Sequence, residues 1–433
     1  MSIWQEISAY RHTLSCLDTV NHDIGSERED QAFWWHSLSP SLAALLEKNR
    51  YSEEEQQYYL RWFHQWIAPA LGVRPRYGKP YYTSGLTHDK SPLEFSQNWK
   101  ENSPDQLVRF TLEPACRESG TSSDPFNQKI ARDVITRMSK HVPGIDLTRF
   151  EHFFQETSVP FEASDEIAAK LLPGQARARV LLAFDLDHGG PVAKAYFVPQ
   201  LKATYTGVSQ KTVVFDSIRK WSPSYNQSAA ALEGYLDSLP NEKPPQPFLV
   251  AIDCDDNPRS RIKVYLNETS VDTLNKAKEI FSLGGRLKST TITESLKAID
   301  EWWYHIFALE PGSQSDDKKV LFGPTAVYAF ELRPSEEGRE EVEMEVKLHL
   351  PLWVLEQTDA QLSERLSAWF KKHNHDVFAD RYLPDLEYAF PKNSLDQSAG
   401  THTWVSITYT PKTGLYMTMY YTPRLPEVNG LWS

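Results

Sequence analysis

Alternation at strand period dominates the chain. Arg261-Ile-Lys263-Val-Tyr265 alternates cationic or phenolic residues with apolar ones, and residues two apart on a β-strand share a face. One face is therefore Arg, Lys and Tyr, and the other is Ile and Val. A half-buried strand ordinarily turns its polar face to water; a row of cations ending in an aromatic suits an anion better. The pattern recurs in Lys194-Ala-Tyr196 and in Val108-Arg109-Phe110-Thr111. Paired strands are predicted at 92–98 with 107–113, 179–186 with 192–198, 247–253 with 260–266, 324–332 with 342–349, and 403–409 with 415–421. Turn chemistry at Asp187-His-Gly-Gly190, Asp255-Asp-Asn-Pro258 and Pro411-Lys-Thr-Gly414 joins several pairs.

Helical spacing fills the intervals. Trp34, Trp35, Leu42, Leu45 and Leu46 mark one helix, and Ser52-Glu-Glu-Glu55 is a capping-box start for the next, which ends at Pro69 and Gly72. Further helices are predicted over Asn127–Met138, Thr212–Trp221, Ser270–Phe281, Thr293–Phe307 and Ala360–Lys372. Hairpins spaced by helices indicate an internal repeat. The fold class is α+β: a closed barrel of ten antiparallel strands ringed by helices. Closure removes free strand edges. The helices need an apolar sheet face to pack on, which leaves the cationic and aromatic face for a polar lumen wide enough for a ligand. No domain boundary is visible, so residues 1–433 are expected to form one domain, with an N-terminal helical segment over 1–75. Polar stretches at 310–319 and 334–341 read as surface loops.

Composition narrows the partners. The net charge of −12 argues against a nucleic-acid or anionic-membrane surface, so the cationic strands are local exceptions suited to a small anion. Aromatic residues make up 12% of the chain, with 13 Trp and 20 Tyr. Three cysteines without CxxC spacing argue against a disulfide framework or a zinc site and place the chain in a reducing cytosol. Neither a signal peptide nor an apolar run of transmembrane length is visible. A monomer or homodimer fits equally.

Several Arg and Lys side chains in an enclosed site can neutralise a diphosphate, and contacts of this kind strengthen in a water-poor lumen. Tyr and Trp faces beside them suit a carbocation, by cation–π attraction of roughly 0.5–2 kcal/mol per contact. Together they describe a site that ionises an allylic diphosphate. Taken singly, each Lys-x-Tyr strand reads as a solvated face with stems over apolar surface; recurrence on separate hairpins favours the site. Glu94 reads either as a surface acid or as a carboxylate accepting from an aromatic N–H or O–H. Asp253-Cys-Asp-Asp256 lacks a third carboxylate at DDxxD spacing and reads as a turn. No phosphate-loop or dinucleotide fingerprint is present.

The ordered motifs resemble the fungal aromatic prenyltransferases of the dimethylallyltryptophan synthase family. They are Trp34-Trp35-His36, Pro69-Ala-Leu-Gly72, Pro92-Leu-Glu94-Phe-Ser, Arg109-Phe-Thr-Leu-Glu113-Pro114, Asp124-Pro-Phe-Asn127, Lys194-Ala-Tyr196, Leu201-Lys202, Ser260-Arg261-Ile-Lys263-Val-Tyr265 and Leu283-Gly-Gly-Arg286. The resemblance implies transfer of a dimethylallyl group from dimethylallyl diphosphate, the co-substrate, to an indole, with no cofactor and no metal. It implies that Arg109, Lys194, Arg261, Lys263 and Lys347 hold the diphosphate, with Lys194 also catalytic. Tyr196, Tyr265, Trp404, Tyr420 and His349 would shield the cation. Glu94, as a catalytic residue, would hold the acceptor together with Leu86 and Phe248. Phe248 stands where members acting on free tryptophan place an Arg, which favours a neutral acceptor such as a tryptophan-containing cyclic dipeptide. Leu181 stands where some members place a Lys base, so the base that rearomatises the ring is unassigned. The alternatives are a phenolic acceptor (tyrosine, a xanthone or another polyketide) and a non-catalytic barrel binding an anionic aromatic ligand.

Overall fold

The structure, a computed structural model, describes residues 14–25, 27–171, 179–240, 245–268, 273–309, 326–335, 342 and 344–425. The predicted loop at 310–319, most of that at 334–341, and the start of the helix predicted from Ser270 lie outside them. Ten strands close an antiparallel barrel: β1 Leu93–Lys100, β2 Val108–Leu112, β3 Val180–Asp187, β4 Gly190–Phe197, β5 Gln246–Asp253, β6 Ile262–Glu268, β7 Ala326–Leu332, β8 Met344–Pro351, β9 His402–Thr410 and β10 Gly414–Tyr421. Each strand pairs with its chain neighbour, and β1 pairs with β10, Ser96 opposite Tyr420, to complete the ring. All the predicted strand pairs are present, with ends shifted by a few residues. Arg261 falls just before β6 rather than inside it.

Pleat parity decides which side each residue takes. On β2, Val108, Phe110 and Leu112 are fully buried beneath helices while Arg109 and Thr111 face the lumen; on β6, Ile262, Val264 and Leu266 are buried and Lys263 and Tyr265 face inward. The main hydrophobic core is thus a shell between barrel and helices, not the barrel interior. The helix Thr290–Ile306 lies over β9 and Gln210–Trp221 over β5. The helix from Glu53 starts with the predicted capping box, Ser52 and Glu55 each accepting from the other's backbone N–H. It widens into a π turn over Phe63–Ile67, closes with a short 3₁₀ turn over Ala68–Ala70 and ends there, between Pro69 and Gly72 as expected. Gly72 follows at φ 77°, with Ala115 backbone 3.0 Å from where a Cβ would stand, so close packing as well as dihedral requires glycine there. Helices at Thr148–Thr157, Asn226–Ser238 and Asp376–Ala389 were not predicted. No helix among the described residues is long and apolar enough to cross a membrane.

Candidate active site

The lumen holds a cavity lined by Arg109, Asp185, Lys194, Tyr196, Lys263, Tyr265, Lys347, His349 and Tyr420, with Ser96, Thr111 and Thr418 between them. A smaller recess adjoins it at Lys194, Tyr196, Asp253, Arg261 and Lys263. Every cation predicted to meet the diphosphate is therefore brought to one region.

None of these cations stands alone. Asp185 on β3 accepts from Lys194 and lies 3.2 Å from Arg109 Nε. Asp253 at the end of β5 accepts from Arg261 Nε at 3.1 Å. Glu331 on β7, with no exposure, accepts from Arg261 Nη1 at 2.8 Å and lies 3.2 Å from Lys347 and 3.5 Å from Lys263. These acids are the main residues that sequence reasoning missed. Asp253 was read as part of a turn; the turn begins at Asp255, whose carboxylate accepts from Ser260 and Asn257, whereas Asp253 ends a strand and joins the lumen. Burial opposes ionisation of Glu331, but Lys347, Lys263 and Arg261 hold its carboxyl well below the usual range. Asp185 is likewise held down, by Arg109 and Lys194 against burial. Lys263 moves the other way: burial, then repulsion from Arg261, overcomes Glu331 and brings it to about 7.

The aromatic wall adjoins the cations. Tyr196 and Tyr265 have ring centroids 5.9 Å apart, and His349 lies 6.1 Å from Tyr265 and 6.0 Å from Tyr420. Burial and the Lys347 charge depress His349 to about 3, so it enters the wall as a neutral ring. Tyr416, to which no motif assigned a role in the site, accepts from Arg109 and from Asn98 at 3.2 Å, with Lys347 4.8 Å over its ring. Burial pushes its phenol up, yet Arg109 and Lys347 bring it to about 7. Trp404 is not part of this wall: its ring meets Trp353 edge-on at 4.7 Å, and Trp353 in turn stacks on His88 at 4.9 Å.

Glu94 shares a face with Ser96 on β1, and its charge is felt at Tyr420. A register shift between Met419 and Tyr421 bulges β9 opposite, and there Thr403 Oγ1 donates to Glu94 Oε1 at 2.6 Å. Burial raises Glu94 to about 8, with Thr403 acting against the rise. Leu86 is half-buried in a loop fixed from below: buried Glu113 accepts from Tyr82 and Ser84 hydroxyls at 2.7 Å and from the Gly85 N–H at 2.8 Å. Phe248 is half-buried at a bulge in β5. Neither lines the central cavity. Among the described residues no cluster of acids, His or Cys is arranged for a metal ion, and the cysteines are free.

The Thr403 contact makes a prediction. Thr403→Val removes the donor, so Glu94 should rise above about 8. If ionised Glu94 serves the acceptor, activity at neutral pH should fall several-fold and recover as pH rises. Overlapping pH–rate profiles for variant and parent would exclude that contact from the reaction.

A closed antiparallel barrel with cations at one part of its lumen and aromatic faces at another defines an aromatic prenyltransferase. The model of the tryptophan dimethylallyltransferase family matches residues 30–385. Prenyltransferase iacE of Pestalotiopsis fici is 47% identical over 430 residues, covering 97% of each chain. The 7-dimethylallyltryptophan synthase hasE of Aspergillus fumigatus is 32% identical over 409 residues, covering 91% of this chain and 85% of its own. The crystal structure of AnaPT from Neosartorya fischeri superposes with a TM-score of 0.82 at 26% identity, over 94% of this chain and 98% of that one. The chain belongs to the tryptophan dimethylallyltransferase family.

Proposed function

We propose that the protein transfers a dimethylallyl group from dimethylallyl diphosphate to the indole ring of a neutral, tryptophan-derived acceptor, by electrophilic aromatic substitution that needs no metal. The observation that carries this reading is the junction of the two walls: Lys194 and Lys263 line the same cavity as Tyr196, Tyr265 and Tyr420. An allylic diphosphate laid across that junction has its leaving group among cations and its allyl group among π-faces. Arg109, Lys194, Arg261, Lys263 and Lys347 stabilise the charge that grows on the leaving diphosphate. Tyr196, Tyr265, Tyr420 and neutral His349 stabilise the allyl cation and keep water from it. Glu94 accepts from the indole N–H and raises the electron density of the attacking ring.

The relatives named for tryptophan dimethylallylation point to an indole. Phe248 supplies no charge for a free carboxylate, which supports an acceptor whose carboxyl is blocked, such as a cyclic dipeptide. The test is incubation with dimethylallyl diphosphate and tryptophan, tryptophan-containing cyclic dipeptides or phenols, with and without EDTA, followed by mass spectrometry and NMR. Prenylated cyclic dipeptide at an EDTA-insensitive rate is expected. Faster turnover of free tryptophan would overturn the neutral-acceptor assignment, and a phenolic product would overturn indole. Donor binding without product on any acceptor would favour a carrier, and loss of activity with EDTA would contradict metal independence.

A further inference from the structure

Charge in the lumen alternates in sign from strand to strand. Arg109 on β2 is followed by Asp185 on β3, Lys194 on β4, Asp253 on β5, Lys263 on β6, Glu331 on β7 and Lys347 on β8. The register sets opposite charges side by side: Arg109 faces Asp185, Lys194 faces Asp253, and Lys263 faces Glu331. Stability does not call for this, because buried ion pairs are often neutral or unfavourable beside well-packed apolar residues. Glu331 is the most deeply placed of the acids. Its Oε2 is committed to Arg261, while Oε1 lies between the Lys263 and Lys347 ammonium groups without a hydrogen bond to either.

We propose that Glu331 is a positioning residue that acts as a resident counter-ion, keeping Lys263 charged and Arg261, Lys263 and Lys347 aimed until a diphosphate takes over the two lysines. The proposal rests on the diphosphate reading above and adds a group to it. A diphosphate entering beside Lys263 and Lys347 offers oxygens with free lone pairs, whereas Oε1 offers proximity alone, so both lysines can turn to the ligand while Arg261 stays anchored. When the product leaves, Glu331 again balances the cations. Asp253 does the same for Arg261, and Asp185 for Arg109 and Lys194.

Lys263 is the group whose proton depends on this arrangement. Around it stand Arg261 on its own segment, Asp253 from β5, Glu331 from β7 and Lys347 and His349 from β8. Lys194 and Tyr196 approach from β4 and Asp185 from β3, with Arg333 beyond Glu331 at 3.9 Å, paired to Glu345. Removing the Glu331 charge makes protonation of Lys263 harder. At low pH all the cations remain charged, and loss of a negative group leaves diphosphate binding undiminished. Above about pH 7 the parent's free Lys263 is also neutral, but binding must return its proton, and without Glu331 that return costs more. Inorganic diphosphate is the probe, titrated calorimetrically into the parent and Glu331→Gln from about pH 5.5 to about pH 8.5. The ratio of variant to parent Kd is expected to rise at least about fivefold over that range, a one-unit pKa shift being tenfold. Glu331→Asp, which keeps the charge but withdraws it, should show a smaller rise and serves if the Gln variant does not fold. A ratio that stays flat with pH would mean that Glu331 is a structural residue only and would overturn the proposal. If the parent does not bind diphosphate, or Lys263→Ala binds it equally well, the diphosphate reading itself fails and takes this proposal with it.

Discussion

Lys194→Ala is expected to lower kcat/KM for dimethylallyl diphosphate by about 10²–10³-fold, the loss typical of removing one preorganised group from a developing charge, while the barrel stays folded. Lys194 is 8% exposed and its ammonium group lies against Asp185. Deleting it takes from the site a cation that borders both the main cavity and the recess beside Arg261. The deletion also leaves Asp185 buried with Arg109 as its remaining cation. A lowered melting temperature is therefore expected alongside the loss of rate, because a buried carboxylate has lost a partner. The two effects separate in the pair Lys194→Ala with Asp185→Asn. Neutralising the acid should restore most of the lost stability and none of the lost rate. Recovery of turnover in the double variant would show that Lys194 serves only to pair Asp185. Near-parental kcat/KM in the single variant would remove it from the diphosphate site.

The barrel was legible because strand parity is a two-residue signal and every outer-face position carries a helix-packing residue. Val108, Phe110, Ile262 and Val264 are each fully buried, and their inward neighbours follow by elimination. The cations were found for the same reason: a Lys or Arg between apolar neighbours stands out. Asp185, Asp253 and Glu331 escaped because acids near strand ends are common, and their meaning lies in register. Only when Arg109 is set opposite Asp185 and Lys263 opposite Glu331 does the alternation appear. Trp404 shows the reverse difficulty. Its motif position suggested the cation wall, but its ring meets Trp353, just past the end of β8, a contact that only the structure reveals. Tyr416 was given no role, because its bond to Arg109 crosses from β10 to β2 over β1, a contact that exists only because the sheet closes.

Glu94→Gln should reduce turnover of the acceptor by about 10- to 100-fold, the difference between a charge-assisted and a neutral hydrogen bond to the ring N–H, and should at the same time make the protein more stable. Both effects come from one cause. Glu94 is 7% exposed and its carboxyl is pushed up by burial from 4.5 to about 8. Between those values the fold holds a proton that the unfolded chain has released, so stability falls as pH rises through that window. A glutamine has no such dependence, and the melting temperature of Glu94→Gln relative to the parent should climb from about pH 5 to about pH 9. The activity profile carries the complementary sign. Ionised Glu94 is needed for the acceptor, which requires pH near or above about 8, whereas free Lys263 holds its proton only below about 7. The two needs overlap poorly in the empty site. A bound diphosphate relieves the conflict, because its charge favours the protonated lysine and widens the range over which both groups are correctly charged. At saturating donor, kcat/KM for the acceptor should therefore rise with pH through the Glu94 ionisation in the parent and lose that rise in Glu94→Gln. A variant that keeps both the parental rate and the parental pH dependence would show that Glu94 is a buried structural acid and that the acceptor is held elsewhere.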